Sequence, residues 1–151
     1  MLTKDIIEIA RDFIAENPLG VVGTVDAAGK PWGAAVYLGC DDRFNLYFST
    51  KSETRKHQNL SKNPHISVVF TAEEPKITIQ ALGKADPVEH HDEARAAADA
   101  LQHAKGKKVD WVPPLDMLEA GSYQLYKITV EYARLSGFDN QPDIIEYTPA
   151  G

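Results

Sequence analysis

From Leu19 to Val88 the chain is a succession of β-rich runs, most of them joined by short turns. LGVVGTV (19–25) and PWGAAVYL (31–38) flank DAAGK, a turn built around Gly29. FNLYFS (44–49) follows the turn GCDDR, and AEEP separates HISVVFT (65–71) from KITIQALGKADPV (76–88). Antiparallel strands close through two to five residues, so LGVVGTV and PWGAAVYL, joined by a short glycine-bearing loop, are expected to form a β-hairpin. Strand two alternates, with Trp32, Ala34, Val36 and Leu38 on one face and Gly33, Ala35 and Tyr37 on the other. That second face is small enough for a flat ligand to approach the backbone. Gly83 predicts a bulge or bend in strand five. The long alternating run SYQLYKITVEYARL (122–135) supplies a sixth strand.

Helices are inserted between these runs. Thr3 can cap a first helix, Asp5 and Glu8 suit its N-terminal dipole, and Ile6, Ala10, Phe13 and Ile14 keep helical spacing until Asn17-Pro18 stops it. A short helix is predicted from about Ser52 to Ser61, closed by Asn63-Pro64. A third runs from about His91 to Ala104, its stripe formed by Ala94, Ala97, Ala98, Leu101 and Ala104. Residues 108–121 read as an irregular connection carrying Trp111, and the tail after Gly137 is weakly patterned. These elements predict a mainly β chain with inserted helices (α+β), a six-stranded antiparallel sheet closed into a small barrel. An open antiparallel sheet with helices on one face is the alternative.

Length and charge bound the function. The 151 residues suit a single domain spanning 1–151, without internal repeats, large enough to bury a core without staples. One cysteine, Cys40, excludes an internal disulfide framework and a cysteine-based zinc cage. No apolar run approaches the ~18 residues of a membrane span, and MLTKDIIEIARD alternates charge with apolar groups, unlike a signal peptide. A lone thiol suits a reducing cytoplasm, the expected location. A net charge of −6 argues against a nucleic-acid partner.

Against that acidic background, FSTKSETRKHQNLSKNP (48–64) reverses sign. Lys51, Arg55, Lys56 and Lys62 face one acid, Glu53, a local net of +3 in a chain of −6. The hydroxyls of Ser49, Thr50, Ser52 and Thr54 gather where a strand ends and a helix begins. A helix start offers unpaired N–H groups, Arg55 a two-pronged donor and Lys56 a point charge, which is the chemistry a phosphate requires. The plainer explanation, a capped helix with solvated cations, weighs nearly as much. The segment contains neither G-x-x-x-x-G-K-[ST] nor G-x-G-x-x-G, so any phosphate would be gripped by side chains.

These residues carry a resemblance. A strand reading V-x-T-x-D-x-x-G-x-P, a strand ending F-x-T, then T-R-K, L-x-x-N-P-x-x-x-V-x-F and L-G-K-A-D-P-V resemble, in order and spacing, the pyridoxamine 5′-phosphate oxidase family of FMN-binding split barrels. The resemblance covers roughly the first three-fifths of the chain. It implies a six-stranded split barrel, a homodimer with FMN in two clefts at the subunit interface, and a small-molecule electron donor or acceptor. By position it implies that Thr50, Thr54, Arg55 and Lys56, with Ser49 beside them, hold the FMN phosphate. The strand Ala34, Ala35, Val36, Tyr37 and Leu38 would run along the flavin ring, Thr78 or Gln80 would contact it, and Trp111 would stack on it from the other subunit or else pin its own loop.

Departures limit the activity. Ala34 and Gly39 stand where the oxidase carries an arginine and a lysine. The segment VEYARLSGFDN (130–140) lacks its R-L-H element and has Ala133 near a tryptophan's place. An FMN-dependent oxidoreductase is therefore expected, with no catalytic residue assigned and pyridoxine phosphate not the substrate. A non-catalytic flavin-binding or flavin-sensing protein, or the same fold holding a deazaflavin or a haem-related anion, are the alternatives. His90-His91 point to different helix faces and suit no metal, Cys40 has no base beside it, and His57 is expected at an exposed helix position.

Overall fold

A computed structural model of the chain describes residues 3–73, 76–102, 123–137 and 144–149. Helix α1 (Thr3–Glu16) begins at the expected threonine and turns Ile6, Ala10, Phe13 and Ile14 into the core. It ends where Asn17, ahead of Pro18, donates from both its backbone and its side chain to the Phe13 carbonyl at 2.9 and 3.2 Å.

Strands β1 (Leu19–Val25) and β2 (Pro31–Tyr37) form the first hairpin, with Gly29 at φ 81° in its turn. β3 (Gly39–Cys40) pairs with β4 (Asn45–Lys51), after which comes α2 (Arg55–Leu60). β5 (His65–Glu73) and β6 (Lys76–Pro87) make the second long hairpin, followed by α3 (His91–Gln102). β7 (Tyr123–Ser136) returns across the sheet, and β8 (Ile144–Tyr147) adds to it. The order is β2-β1-β5-β6-β7-β4-β3, with β8 on β7, and every pairing is antiparallel. β2, at one end of this order, also approaches β4 near the other, so the sheet curls into a half-barrel.

The inner face is filled by Val22, Leu38, Leu46, Phe48, Phe70, Ile79, Tyr126 and Leu135, and α1 packs into the same core. A smaller cluster of Tyr47, Val88, Ala97, Ala100 and Leu125 seats α3. The expected bulge falls at Leu82/Gly83, where the register to β7 shifts. A Cβ at Gly83 would run into the Thr129 carbonyl, so glycine is what permits this approach.

The sheet has eight strands where the sequence predicts six. β3 was expected as turn, but two residues carry no readable period, and it becomes a strand only because Leu46 and Tyr47 pair with it. β8 lies in the weakly patterned tail and is defined by its register to Ala133–Ser136. α2 is also shorter than expected. Residues 52–54 form a turn in which Thr54 N–H donates to the Lys51 carbonyl at 3.2 Å, and Thr54 caps the helix. α3 was expected to reach Ala104, which lies outside the described residues, as does Trp111.

Candidate functional site

The end of β4, the turn after it and the start of α2 meet the open edge of β2. Ala35, Val36 and Tyr37 from β2, Ser49, Thr50 and Lys51 from β4, Thr54, Lys56 and Tyr123 line a recess of about 320 Å³. β2 has a neighbour on one side only, so the strand borders this recess as a sheet edge with backbone groups available.

A local hydrogen-bond chain shapes its floor. Thr54 Oγ1 donates to the Lys51 carbonyl at 2.9 Å, which leaves the buried Thr50 hydroxyl to donate to Thr54 across 2.7 Å. The His57 N–H completes the set on the Thr54 oxygen at 3.4 Å. Lys51 and Lys56 are the lysines lining the recess, and partial burial lowers the Lys56 pKa from the ordinary 10.5. With six residues α2 has little macrodipole, so of the helix start and the cations that the sequence brings together here, the lysine side chains supply the formal charge.

α2 is tied to the sheet from behind. Asn59 donates to the buried Thr24 hydroxyl at 3.0 Å, and the Tyr126 hydroxyl lies 2.7 Å from His57 Nδ1. Burial pushes the Tyr126 hydroxyl up to about 12, so it stays protonated beside the ring nitrogen. His57, expected at an exposed position, is instead half-buried. The signal for this pairing is 69 residues away in the sequence.

The expected site residues separate into groups. Ala35, Val36, Tyr37, Ser49, Thr50, Thr54 and Lys56 come together in the recess. Leu38 is fully buried and Ala34 packs against the core, so their side chains do not reach it. Arg55 is exposed and outside the lining, its guanidinium carbon 4.3 Å from the centre of the Trp32 ring. Thr78 and Gln80 lie on β6 in a separate recess of about 130 Å³ with Arg134, Ser136 and Ile144. Tyr123, which the sequence did not single out, enters because it pairs with Lys51 across β4 and β7. Among the described residues no group of three or more His, Cys, Asp or Glu could hold a metal.

A curled antiparallel sheet with an edge-strand recess and a cationic, hydroxyl-rich rim defines a split-barrel protein with a candidate anion site. The family model for pyridoxamine 5′-phosphate oxidase matches residues 6–137, and the chain belongs to that family. It is similar to the pyridoxine/pyridoxamine 5′-phosphate oxidase of Aeromonas hydrophila subsp. hydrophila, 46% identical over 50 residues. That stretch is 33% of this chain and 24% of the relative, so the chain matches about a quarter of the relative's length.

Among solved structures, the fold resembles a heme binding protein from Mycobacterium smegmatis, with a TM-score of 0.71 and 19% identity, covering 94% of this chain and 57% of that one. It also resembles a protein related to general stress protein 26, of the pyridoxinephosphate oxidase family, from Clostridium acetobutylicum. The TM-score is 0.69 and the identity 16%, covering 96% and 95% of the two chains. No helix among the described residues is long and apolar enough to cross a membrane.

Proposed function

We propose that the chain binds FMN as a flavin-dependent oxidoreductase of this family, with a small-molecule electron donor or acceptor that is not pyridoxine phosphate. The observation that carries the reading is the meeting of Lys56, Ser49, Thr50 and Thr54 with the small, open strand Ala35–Tyr37 in one recess. A flavin phosphate carries close to two negative charges, and an acidic chain would repel it unless one site reversed the sign. Lys56 and the neighbouring Lys51 do so at the rim, and the Ser49 hydroxyl can donate a hydrogen bond, whereas the Thr50 and Thr54 protons serve to fix the floor.

The recess volume lies within the ordinary range for small-ligand sites. Ala35 presents only a methyl, so a flat ring can reach the edge backbone of β2. Bound FMN supplies the redox chemistry, and the chain binds, orients and shields it. In this reading Thr78 and Gln80, on the same outer sheet face but across it from Ala35, contact the flavin of a second subunit.

The second subunit is part of the same proposal. Cross-strand register places Ala35, Val21, Val69, Gln80 and Arg134 side by side across five strands, and Gly33, Gly23, Ser67, Leu82 and Tyr132 in the next row. This outer face exposes Val21 at 49% and Leu82 at 55%, and beside Leu82 lies a recess of about 430 Å³. An apolar strip with the Lys56 recess at one end and Gln80 at the other is suited to a twofold partner, which sets each end against the other copy's opposite end.

The absorbance spectrum of the purified protein, before and after adding FMN, tests the cofactor. Flavin bands that travel with the protein support the reading. A Soret band, as the resemblance to a heme binding protein invites, overturns it. Flavin that binds but is not reduced by NADH or NADPH favours the non-catalytic alternative.

A further inference from the structure

Arg55 opens α2 between two residues of the recess, Thr54 and Lys56, yet its guanidinium is laid against Trp32 of the β1–β2 hairpin. Trp32 is itself held. Its Nε1–H donates to Asp26 Oδ2 at 2.9 Å, while Asp26 Oδ1 accepts from the backbone N–H groups of Ala28 and Lys30, both at 2.9 Å. The hairpin turn thus fixes the carboxylate, the carboxylate fixes the indole, and the indole carries the guanidinium.

We propose that Asp26 and Trp32 are positioning residues that pre-orient Arg55 as the outer donor to an oxyanion in the Lys56 recess. The inference rests on the reading that this recess takes the FMN phosphate. The Arg55 guanidinium carbon lies over the indole ring, a contact that engages the cation's charge without consuming its N–H donors, which stay able to form a two-pronged bond. A carboxylate accepting the indole N–H at the ring edge makes the ring more electron-rich and strengthens its attraction for the cation. Fixing the plane removes the rotamer freedom that an exposed arginine loses on engaging an anion. The same contact holds the carboxyl of Asp26 below the usual carboxylate range, through its bond from Trp32 first and through the nearby Arg55 last.

FMN and riboflavin titrations of Trp32→Leu, Trp32→Phe and Asp26→Asn test this, with Arg55→Ala alone and combined with Trp32→Leu. Loss of a cation–π contact at an exposed site predicts an FMN dissociation constant raised roughly two- to fivefold in Trp32→Leu, with riboflavin unchanged. Trp32→Phe, which keeps a ring, should stay within about twofold of the parent protein. Adding Trp32→Leu to Arg55→Ala should cost little more, because both remove one interaction. Equal losses for FMN and riboflavin, or additive losses in the double variant, overturn the proposal.

A readout without flavin separates this failure from failure of the FMN reading. The Nε–H resonance of Arg55 should be shifted by the indole ring current, revert in Trp32→Leu, and respond to added inorganic phosphate. If the parent protein takes no FMN while phosphate still moves that resonance, the flavin reading fails and the positioning role stands. A resonance at the ordinary arginine position in the parent protein overturns the positioning role.

Discussion

At the scale of single residues, Lys56 is the group on which the site depends most. It faces the recess, and partial burial lowers its pKa. Hydrogen bonds to charged groups are worth about 1.5–3 kcal/mol, so Lys56→Ala should weaken FMN roughly 10- to 150-fold and riboflavin far less. Arg55→Ala should also act selectively on FMN, whereas the exposed Lys62, beyond the end of α2, should leave both affinities unchanged. Isothermal titration of the three variants with both ligands checks this.

The lysine also predicts a pH dependence. Between its folded pKa and the ordinary 10.5 the unfolded chain binds more protons, so this group makes stability rise with pH across that window. Binding of an anion behaves oppositely. FMN affinity should fall as pH rises through the folded value, below 10.5, and Lys56→Arg should abolish that alkaline limb.

At the scale of elements, α2 is the one that cannot stand by itself. Six residues form scarcely more than a nucleus, which is unfavourable in water without tertiary support. The support is specific: Asn59 to Thr24 and His57 to Tyr126. Asn59→Ala should strand the buried Thr24 hydroxyl and lower unfolding free energy by about 1–3 kcal/mol. Tyr126→Phe should cost about 0.5–1.5 kcal/mol, and both changes should weaken FMN because Thr54 and Lys56 ride on the helix. Chemical denaturation with a parallel FMN titration measures both effects.

The strands make a complementary prediction. Ala35→Trp adds bulk only to the exposed face of β2, so the protein should fold normally and lose FMN. Gly83→Ala, in contrast, meets the Thr129 carbonyl at the bulge and should destabilise the fold by about 1–3 kcal/mol.

At the scale of the whole molecule, the open face of the sheet is what the described residues leave uncovered. Its central rows put Val21 beside Val69 and Ser67 beside Leu82, close to the middle of the strip. Val21→Asp would bury a charge in any twofold contact made there, at several kcal/mol. The expected outcome in sedimentation equilibrium is a dimer for the parent protein and a monomer for Val21→Asp, with FMN affinity falling in step. A monomeric parent protein that holds FMN would remove the second subunit from the site.

Hairpins, turns and the cationic segment were legible in the sequence because they depend on neighbours. Gly29 sets one turn, Thr54 caps its own helix, and alternation in 31–38 sorts Val36 inward and Ala35 outward. The hydroxyls and cations of 49–56 are contiguous, so their local accumulation needed no fold to be seen. What only the tertiary structure decided joins distant segments. The approach of β2 to β4 brings Ala35–Tyr37 to Thr54 and Lys56, and the register of β7 adds Tyr123. Adjacent cations on one short helix were equivalent in the sequence, yet Lys56 turned into the recess and Arg55 onto Trp32. The physical reason is that propensity and turn chemistry act over a few residues. Sheet curl and register are set instead by the summed cross-strand contacts of the whole face, and a shift of one residue would exchange inside for outside.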